Sequence, residues 1–149
     1  MLILGALVLL AQAETRAIRQ PPGGGGGDSP SRPCQPVQIS SPQLDGPRTA
    51  FSATEILDLK LSTQLRRYLA GPHTLQIKVS TPRGYPYQTL SVSFSDTPQE
   101  SRPHPQALSA TLPVAGTAIT TNSLYGRWTV QPFLDGVPCG GLRSFVLLQ

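Results

Sequence analysis

The chain has 149 residues, which is enough for one domain of ordinary size and too few for two. Its 14 Gly and 16 Pro residues follow no repeating period, so a collagen-like chain is excluded. The formal net charge is +4, but the arginines are scattered along the chain. A nucleic-acid-binding protein would concentrate them with aromatic residues on one stripe, so no nucleic-acid partner is expected.

The chain begins with an apolar segment, L-I-L-G-A-L-V-L-L-A-Q-A at residues 2–13. It ends in an A-x-A cleavage pattern and is too short to span a membrane. We therefore predict a signal peptide over residues 1–13, a periplasmic or extracellular location, and no stable membrane span after cleavage. Two points leave an alternative open. No Lys or Arg precedes the apolar run, and such a run could instead form a buried helix or strand.

Residues 14–36 are predicted to form a flexible linker. They contain Pro21-Pro22 and then five glycines at 23–27, a composition with high backbone entropy and no apolar period. The glycine run lacks the G-K-[ST] ending of a phosphate-binding loop. We therefore expect a tether and no nucleotide site.

The two cysteines, Cys34 and Cys139, lie 105 residues apart. In an oxidising compartment two such thiols are expected to pair, and the bridge would tie the linker to the loop of the last hairpin. Two free thiols are the alternative. Without a C-x-x-C pair or a nearby histidine, the cysteines do not suggest a metal site.

Residues 37–149 carry the strand signals. Val37 and Ile39 indicate a short first strand, and a second is predicted from Phe51 to Leu61, with Leu57 on the same face as Leu59 and Leu61. A turn or short helix is expected to follow through Leu69. A longer helix is the rival interpretation, because the apolar positions from 56 to 69 also approximate a 3.6-residue period.

Further strands follow from alternating apolar residues and the turns between them. They are predicted at 73–81, 87–95, 108–114, 118–120 (as an edge strand), around Trp128 and at 142–148. Asp135-Gly136 is a strong hairpin-turn signal, and residues 96–106 are expected to form an exposed loop. Outward Ser and Thr residues indicate a solvated antiparallel sheet. About seven short strands over this length predict an all-β, two-sheet antiparallel sandwich with Trp128 in its core.

Two segments resemble exported bacterial immunoglobulin-like (fibronectin-III-like) β-sandwich domains. They are H-T-L-Q-I-K-V-S-T-P-R-G-Y-P-Y-Q at 73–88 and G-R-W-T-V-Q-P-F-L-D-G at 126–136. The resemblance covers residues 50–149 and implies a structural or binding module without catalytic residues or cofactor. The chain departs from the pattern at 137–141, where the hairpin loop is longer and contains a cysteine.

The residues do not form a recognisable catalytic set. No G-x-S-x-G motif is present, and the carboxylates are dispersed. His73 opens a strand, and His104 lies between two prolines in the predicted exposed loop. A nucleophile, a base and an orienting group are therefore not brought together by any motif, and we expect no enzyme and no metal site.

A binding role has more support in the sequence. Arg83, Tyr85 and Tyr87 surround one predicted turn, while Tyr125 and Arg127 lie beside another. Tyr and Arg dominate protein-binding hot spots. The competing interpretation is that Tyr87 covers the edge of the core and the arginines are simply solvated.

The expected function is thus a non-catalytic, exported structural or protein-interaction module of the bacterial cell envelope. Its partner would be an envelope protein or a glycan. The alternative is a carbohydrate-binding module that uses exposed tyrosines around residues 83–87. Sugar binding predicts exposed, nearly coplanar Tyr rings, whereas binding by strand addition predicts a long unpaired sheet edge.

Overall fold

The computed structural model describes residues 32–98, 100–101 and 104–149. The predicted signal peptide and residues 14–31 of the predicted linker lie outside these residues. The described chain forms nine strands and one short helix, which in chain order are β1 (Gln38–Ser40), β2 (Ala50–Ser52), β3 (Asp58–Gln64), β4 (Pro72–Ser80), β5 (Pro86–Ser95), β6 (Ala107–Pro113), α1 (Ala118–Thr121), β7 (Gly126–Leu134), β8 (Val137–Pro138) and β9 (Arg143–Leu148).

The strands form two sheets. The smaller sheet has the order β1-β3-β6, and the larger has the order β2-β9-β7-β4-β5, with β8 paired to β7. All pairings are antiparallel except that of β2 with β9, which is parallel. The two sheets face each other across a single core of buried apolar side chains.

This core explains why the strands alternate in sequence. In β4, Leu75, Ile77 and Val79 are buried between residues that are half-buried or exposed, because successive side chains of a strand point to opposite faces. Trp128 on β7 is fully buried and stacks on Phe145 at 6.3 Å between ring centroids. The predicted two-layer core around Trp128 is confirmed.

The strand order is that of an immunoglobulin-like sandwich. Strands β1, β3 and β6 correspond to A, B and E of that fold, and β9, β7, β4 and β5 correspond to G, F, C and C′. The predicted all-β immunoglobulin-like sandwich is thereby confirmed. It has nine strands instead of about seven because β2 and β8, of three and two residues, are added to the larger sheet.

The prediction of one strand from Phe51 to Leu61 is wrong. The chain turns after β2, where the amide of Glu55 donates to the carbonyl of Ser52 at 3.0 Å, and then enters the other sheet as β3. Leu57 lies at this crossing and is 63% exposed, whereas the neighbouring Ile56 is buried. The long rival helix does not form. The predicted strand end at Leu61 is three residues early, because β3 continues through Gln64, and the chain bends at residues 66–67 within the stretch predicted as a turn or short helix.

The predicted edge strand at 118–120 is also wrong, since these residues lie in helix α1. The hydroxyl of Thr117 accepts a hydrogen bond from the amide of Ile119 at 3.3 Å, as an N-cap residue does. Ile119 is fully buried, so a single helical turn is enough to place its side chain in the core.

Cys34 and Cys139 form the predicted disulfide, with 5.2 Å between their Cα atoms. Both residues are buried, and the amide of Cys34 also donates to the carbonyl of Cys139 at 2.9 Å. Residues 34–36 of the predicted linker therefore lie against the sandwich. The bridge joins the segment before β1 to the loop between β8 and β9.

In the last hairpin the predicted turn forms, but the second strand begins later than predicted. Asp135 and Gly136 both have positive φ, at 48° and 83°, as the two-residue turn requires. Leu142 is 52% exposed, and β9 begins one residue later. Within the residues that the structure describes, no helix is long and apolar enough to cross a membrane.

Candidate binding groove

A groove of about 550 Å³ opens at one end of the larger sheet. We call it the tyrosine groove; its lining residues are Thr81, Pro82, Arg83, Tyr85, Asn122, Ser123, Leu124 and Tyr125. One wall is the turn between β4 and β5, and the other is the segment between α1 and β7. The fold therefore brings together two turns that are about 40 residues apart in the chain, as the loops at one end of an immunoglobulin-like sandwich do.

The β4–β5 wall is held by three hydrogen bonds to Thr81. Its amide donates to the carbonyl of Tyr85 at 2.8 Å, and its carbonyl accepts from the amide of Gly84 at 2.9 Å. Its hydroxyl accepts from the amide of Tyr85 at 3.2 Å. Gly84 has a φ of +85°, which other residues adopt at a cost. The turn is thus fixed by its own backbone, and the Tyr85 side chain extends from a constrained position.

The α1–β7 wall is anchored in the core. The amide of Leu124 donates to the carbonyl of Ile119 at 2.8 Å, and the carbonyl of Leu124 accepts from the indole Nε1 of Trp128 at 2.9 Å. Both Ile119 and Trp128 are fully buried. The position of this wall therefore depends on core packing.

Gly126 sets the distance between the two walls. An added Cβ at this position would lie 3.2 Å from Cβ and 3.3 Å from Cγ of Pro82, and its φ is +131°. Both the close approach and the positive φ favour glycine. Pro82 thus packs directly on the start of β7 and closes the base of the groove.

Three of the five predicted binding residues line the groove. Arg83 and Tyr85 are exposed on one wall, with Tyr85 at 67%, and Tyr125 is half-buried on the other. A guanidinium group and two phenol rings offer charge, hydrogen bonds and apolar surface within one concave site. Such a site can bind a partner non-covalently.

Tyr87 and Arg127 occupy different surroundings. Tyr87 is half-buried, and its ring meets Trp128 edge-on at 5.1 Å between centroids, so it covers the edge of the core. The β4–β5 register shifts after Val79 and leaves Tyr87 without a partner on β4, which explains how its ring departs from strict alternation. Arg127 is exposed on β7, where its Nη1 donates to Ser144 Oγ at 3.1 Å.

A second polar cluster lies at the opposite end of the sheet. Nδ1 of His73 lies 2.6 Å from Oδ2 of Asp135, and Nε2 lies 2.9 Å from the carbonyl oxygen of Ala70. Oδ1 of Asp135 accepts from the amide of Thr74 at 2.9 Å. Because both ring nitrogens face acceptors, the doubly protonated imidazolium would satisfy both contacts.

The pKa values of this pair move apart accordingly. The hydrogen bond to Asp135, followed by that to the Ala70 carbonyl, raises the pKa of His73 above 6.5. The amide of Thr74, followed by the His73 ring, holds the pKa of Asp135 below 3.8. The sequence presented Asp135 only as a turn residue, and no local signal marks its pairing with a histidine 62 residues away.

Among the described residues, no group of three His, Cys, Asp or Glu side chains lies close enough together to hold a metal ion. Three further residues of the groove were not among the predicted binding residues. Asn122, Ser123 and Leu124 line it, and the only available signal was that they precede Tyr125 in a predicted loop.

No protein-family model matches the chain, and the comparison with curated proteins finds no match. Among solved structures, the chain is similar to the alkylpurine DNA glycosylase AlkC of Pseudomonas fluorescens bound to DNA containing an abasic site analog. That likeness has a TM-score of 0.50 and 15% identity; it covers 78% of this chain and 30% of the glycosylase chain. The chain is also similar to an immunoglobulin-like protein of Pseudomonas aeruginosa, with a TM-score of 0.41 and 19% identity, covering 76% of this chain and 93% of that one. At 15% identity, the likeness to the glycosylase concerns the fold alone.

Proposed function

We propose that the chain is a non-catalytic, exported protein-interaction module of a bacterial cell envelope, and that it binds an envelope protein through the tyrosine groove. The observation that carries the proposal is the convergence of Arg83, Tyr85 and Tyr125 on one groove. These are the residue types that contribute most to protein interfaces. Tyr85 stays largely exposed although the turn that carries it is rigid.

Rigidity of the walls supports binding. Association costs free energy when loops and side chains must be ordered. Here the Thr81 hydrogen bonds, the Gly126–Pro82 contact and the Trp128–Leu124 hydrogen bond hold both walls. A partner would therefore meet a groove that is already formed.

Two features support export to an oxidising compartment. The buried Cys34–Cys139 bridge is of a kind that is rare in the reducing cytosol. The apolar segment at residues 2–13 with its A-x-A ending has the pattern of a signal peptide. The bacterial envelope itself is inferred from the resemblance of the strands at 73–88 and 126–136 to exported bacterial domains.

Carbohydrate binding is the alternative for the same groove, and the exposed phenol ring of Tyr85 favours it. A sugar platform, however, calls for two or more exposed, nearly coplanar rings. Tyr125 is half-buried, and the ring of Tyr87 contacts Trp128. One largely exposed ring beside an arginine fits a protein partner better.

The test is site-specific photo-crosslinking in cells that export the chain. A photoreactive amino acid replaces Asn122, an exposed residue that lines the groove, or, as the control, Val137, which is 64% exposed at the other end of the sandwich. We expect a discrete protein adduct from position 122 that is lost with Tyr85→Ser, and none from position 137. Equal adducts from both positions, or an adduct insensitive to Tyr85→Ser, would contradict the proposal. Glycan-array binding that depends on Tyr85 would favour the carbohydrate alternative.

A further inference from the structure

Strand β5 forms one edge of the larger sheet. It is ten residues long and pairs with β4 on one side; in the part of the chain that the structure describes, no strand pairs with its other side. The other edge strands are shorter. Strands β1 and β2 have three residues each, and β6 has seven and ends at Pro113.

The direction of the unpaired backbone groups follows from Thr74. Its carbonyl accepts from the amide of Asp135, and its amide donates to the Asp135 side chain, each at 2.9 Å, so both of its backbone groups face the β7 side. Successive residues of an antiparallel strand direct their backbone N–H and C=O groups towards opposite neighbouring strands. The backbone groups of Leu75 and Ile77 therefore face β5.

Their partners on β5 are Val92 and Leu90, which accordingly direct their backbone groups towards β4. The intervening residues direct theirs outwards, and they are Thr89, Ser91, Ser93 and Ser95. All four side chains are exposed. The edge thus presents a row of outward-directed N–H and C=O groups flanked by small hydroxyl side chains.

Within Pro86–Ser95, β5 lacks several of the devices that commonly prevent pairing. Natural edge strands are blunted by lysines, prolines, bulges or inward charges. From Pro86 to Ser95 the strand contains no charged residue, and its single proline is the first residue. The register shift lies at that same end, opposite Val79 and Ser80. Residues 89–95 are left regular and uncharged.

We propose that β5 pairs with β5 of a second copy of this chain, antiparallel, about a two-fold axis that is perpendicular to the sheet and passes midway between the two Val92 residues. Such an axis keeps the core-facing residues of both copies on one face. Leu90 then lies opposite Phe94, and Val92 lies opposite itself. On the outer face, Thr89 lies opposite Ser95 and Ser91 opposite Ser93.

Every pair in this register joins two side chains of the same kind, either both apolar or both carrying a hydroxyl group. Apolar and Ser/Thr cross-strand pairs stabilise a sheet, whereas like charges directly opposite destabilise it, and residues 89–95 contain none. Val92 and Phe94 are half-buried at the present edge, and a neighbouring strand with the same pattern would cover them further. The sequence of β5 is therefore a suitable partner for itself, which is the reason to prefer a second copy over an unrelated peptide.

The test is sedimentation equilibrium of the intact, disulfide-bonded chain over a concentration series. Ser91→Lys places two lysines beside the axis, and Ser91→Pro removes an amide that faces outwards and does not bond to β4. We expect each to raise the dimer dissociation constant at least about tenfold. Gln38→Lys on the exposed edge strand β1 is the matched control and should change it less than about twofold. Tyr85→Ser should also leave it unchanged, which separates this proposal from the groove.

Cysteine crosslinking gives a second readout that does not depend on those variants folding. A Ser91→Cys chain mixed with a Ser93→Cys chain should form a 91–93 crosslink between copies, and a Gln38→Cys chain mixed with the Ser93→Cys chain should not. A chain that stays monomeric at all concentrations would overturn the proposal, as would dimerisation insensitive to both Ser91 variants. Crosslink yields equal to the control, or a monomer that takes up a foreign extended peptide at β5, would overturn it too.

Discussion

The indole Nε1 of Trp128 donates a hydrogen bond to the carbonyl oxygen of Leu124 at 2.9 Å. Trp128 is the largest fully buried side chain of the core, and Leu124 lines the tyrosine groove. One hydrogen bond thus connects the centre of the sandwich with the wall of its candidate site.

Trp128→Phe should loosen that wall. The smaller ring leaves a void in the core and an unpaired carbonyl at Leu124, and together these should cost about 2 to 4 kcal/mol of unfolding free energy. Urea denaturation measures the cost, and hydrogen exchange should rise at the amides of residues 122–125. Phe145→Leu is the control, because it removes core volume and keeps the indole hydrogen bond. Equal exchange at 122–125 in the two variants would show that the hydrogen bond does not hold the wall.

Gly126→Ala should separate the two walls of the groove. Its Cβ would approach Pro82 at 3.2 Å, and its φ of +131° is strained for alanine, so we expect a loss of about 1 to 3 kcal/mol. Gly84→Ala is the comparison, with a φ of +85° and open space around the added Cβ. A larger loss for Gly126→Ala in chemical denaturation would report the Pro82 contact together with the greater backbone strain at φ +131°. An equal loss in the two variants would mean that the Pro82 contact adds nothing.

Removing the disulfide should destabilise the whole domain. Cys34 and Cys139 are 105 residues apart, and closing a loop of that size stabilises a fold by about 3 to 5 kcal/mol. The double variant Cys34→Ala, Cys139→Ala should therefore unfold at a markedly lower urea concentration. Reduction of the unmodified protein should give a similar shift. An unchanged midpoint in both samples would contradict the prediction.

The His73–Asp135 pair should make stability depend on pH in a defined direction. Because the pKa of His73 is raised in the folded state, its protonation stabilises the fold. This stabilisation is complete below pH 6.5 and is lost as the pH rises through the folded-state pKa of His73. Because the pKa of Asp135 is lowered in the folded state, its ionisation also stabilises the fold. This stabilisation is complete above pH 3.8 and is lost as the pH falls through the folded-state pKa of Asp135. The pair therefore contributes most between these two values.

His73→Gln tests this dependence. Its unfolding free energy should fall below that of the unmodified chain at about pH 5.5, and the difference between the two should shrink as the pH rises towards about 9 and His73 loses its proton. His104→Gln is the control for the loss of a histidine, since His104 is exposed in the 96–106 loop and takes no part in the His73–Asp135 pair. A difference between His73→Gln and the unmodified chain that is constant across this range would rule out the titration.

Local alternation was enough to predict the long strands. Strands β4 and β5 carry apolar residues at every second position, so their faces could be assigned before the structure was known. The same reasoning failed at residues 51–61 and 118–121. There the burial of Ile56 and Ile119 is decided by a crossing between sheets and by one capped helical turn, neither of which has a period.

Part of the candidate site could also be predicted, because turn residues can be recognised in the sequence. Arg83, Tyr85 and Tyr125 lie at turns, and the ends of neighbouring strands meet at one end of a sandwich. The inward placement of Tyr87 depends on a register shift opposite Val79, which residue type alone does not reveal. The partner of His73 is likewise set by sheet order, which places Asp135 beside it from 62 residues away.

The Cys34–Cys139 bridge also determines how the domain would respond to mechanical tension. Force applied between a handle before Cys34 and a handle after Gln149 passes through the two sulfur atoms and bypasses residues 35–138. Only the ten residues from 140 to 149 can then be drawn out, an extension of about 35 Å. The bypassed residues carry no force while the bridge is intact, and reduction of the bridge would expose all of them to the pull.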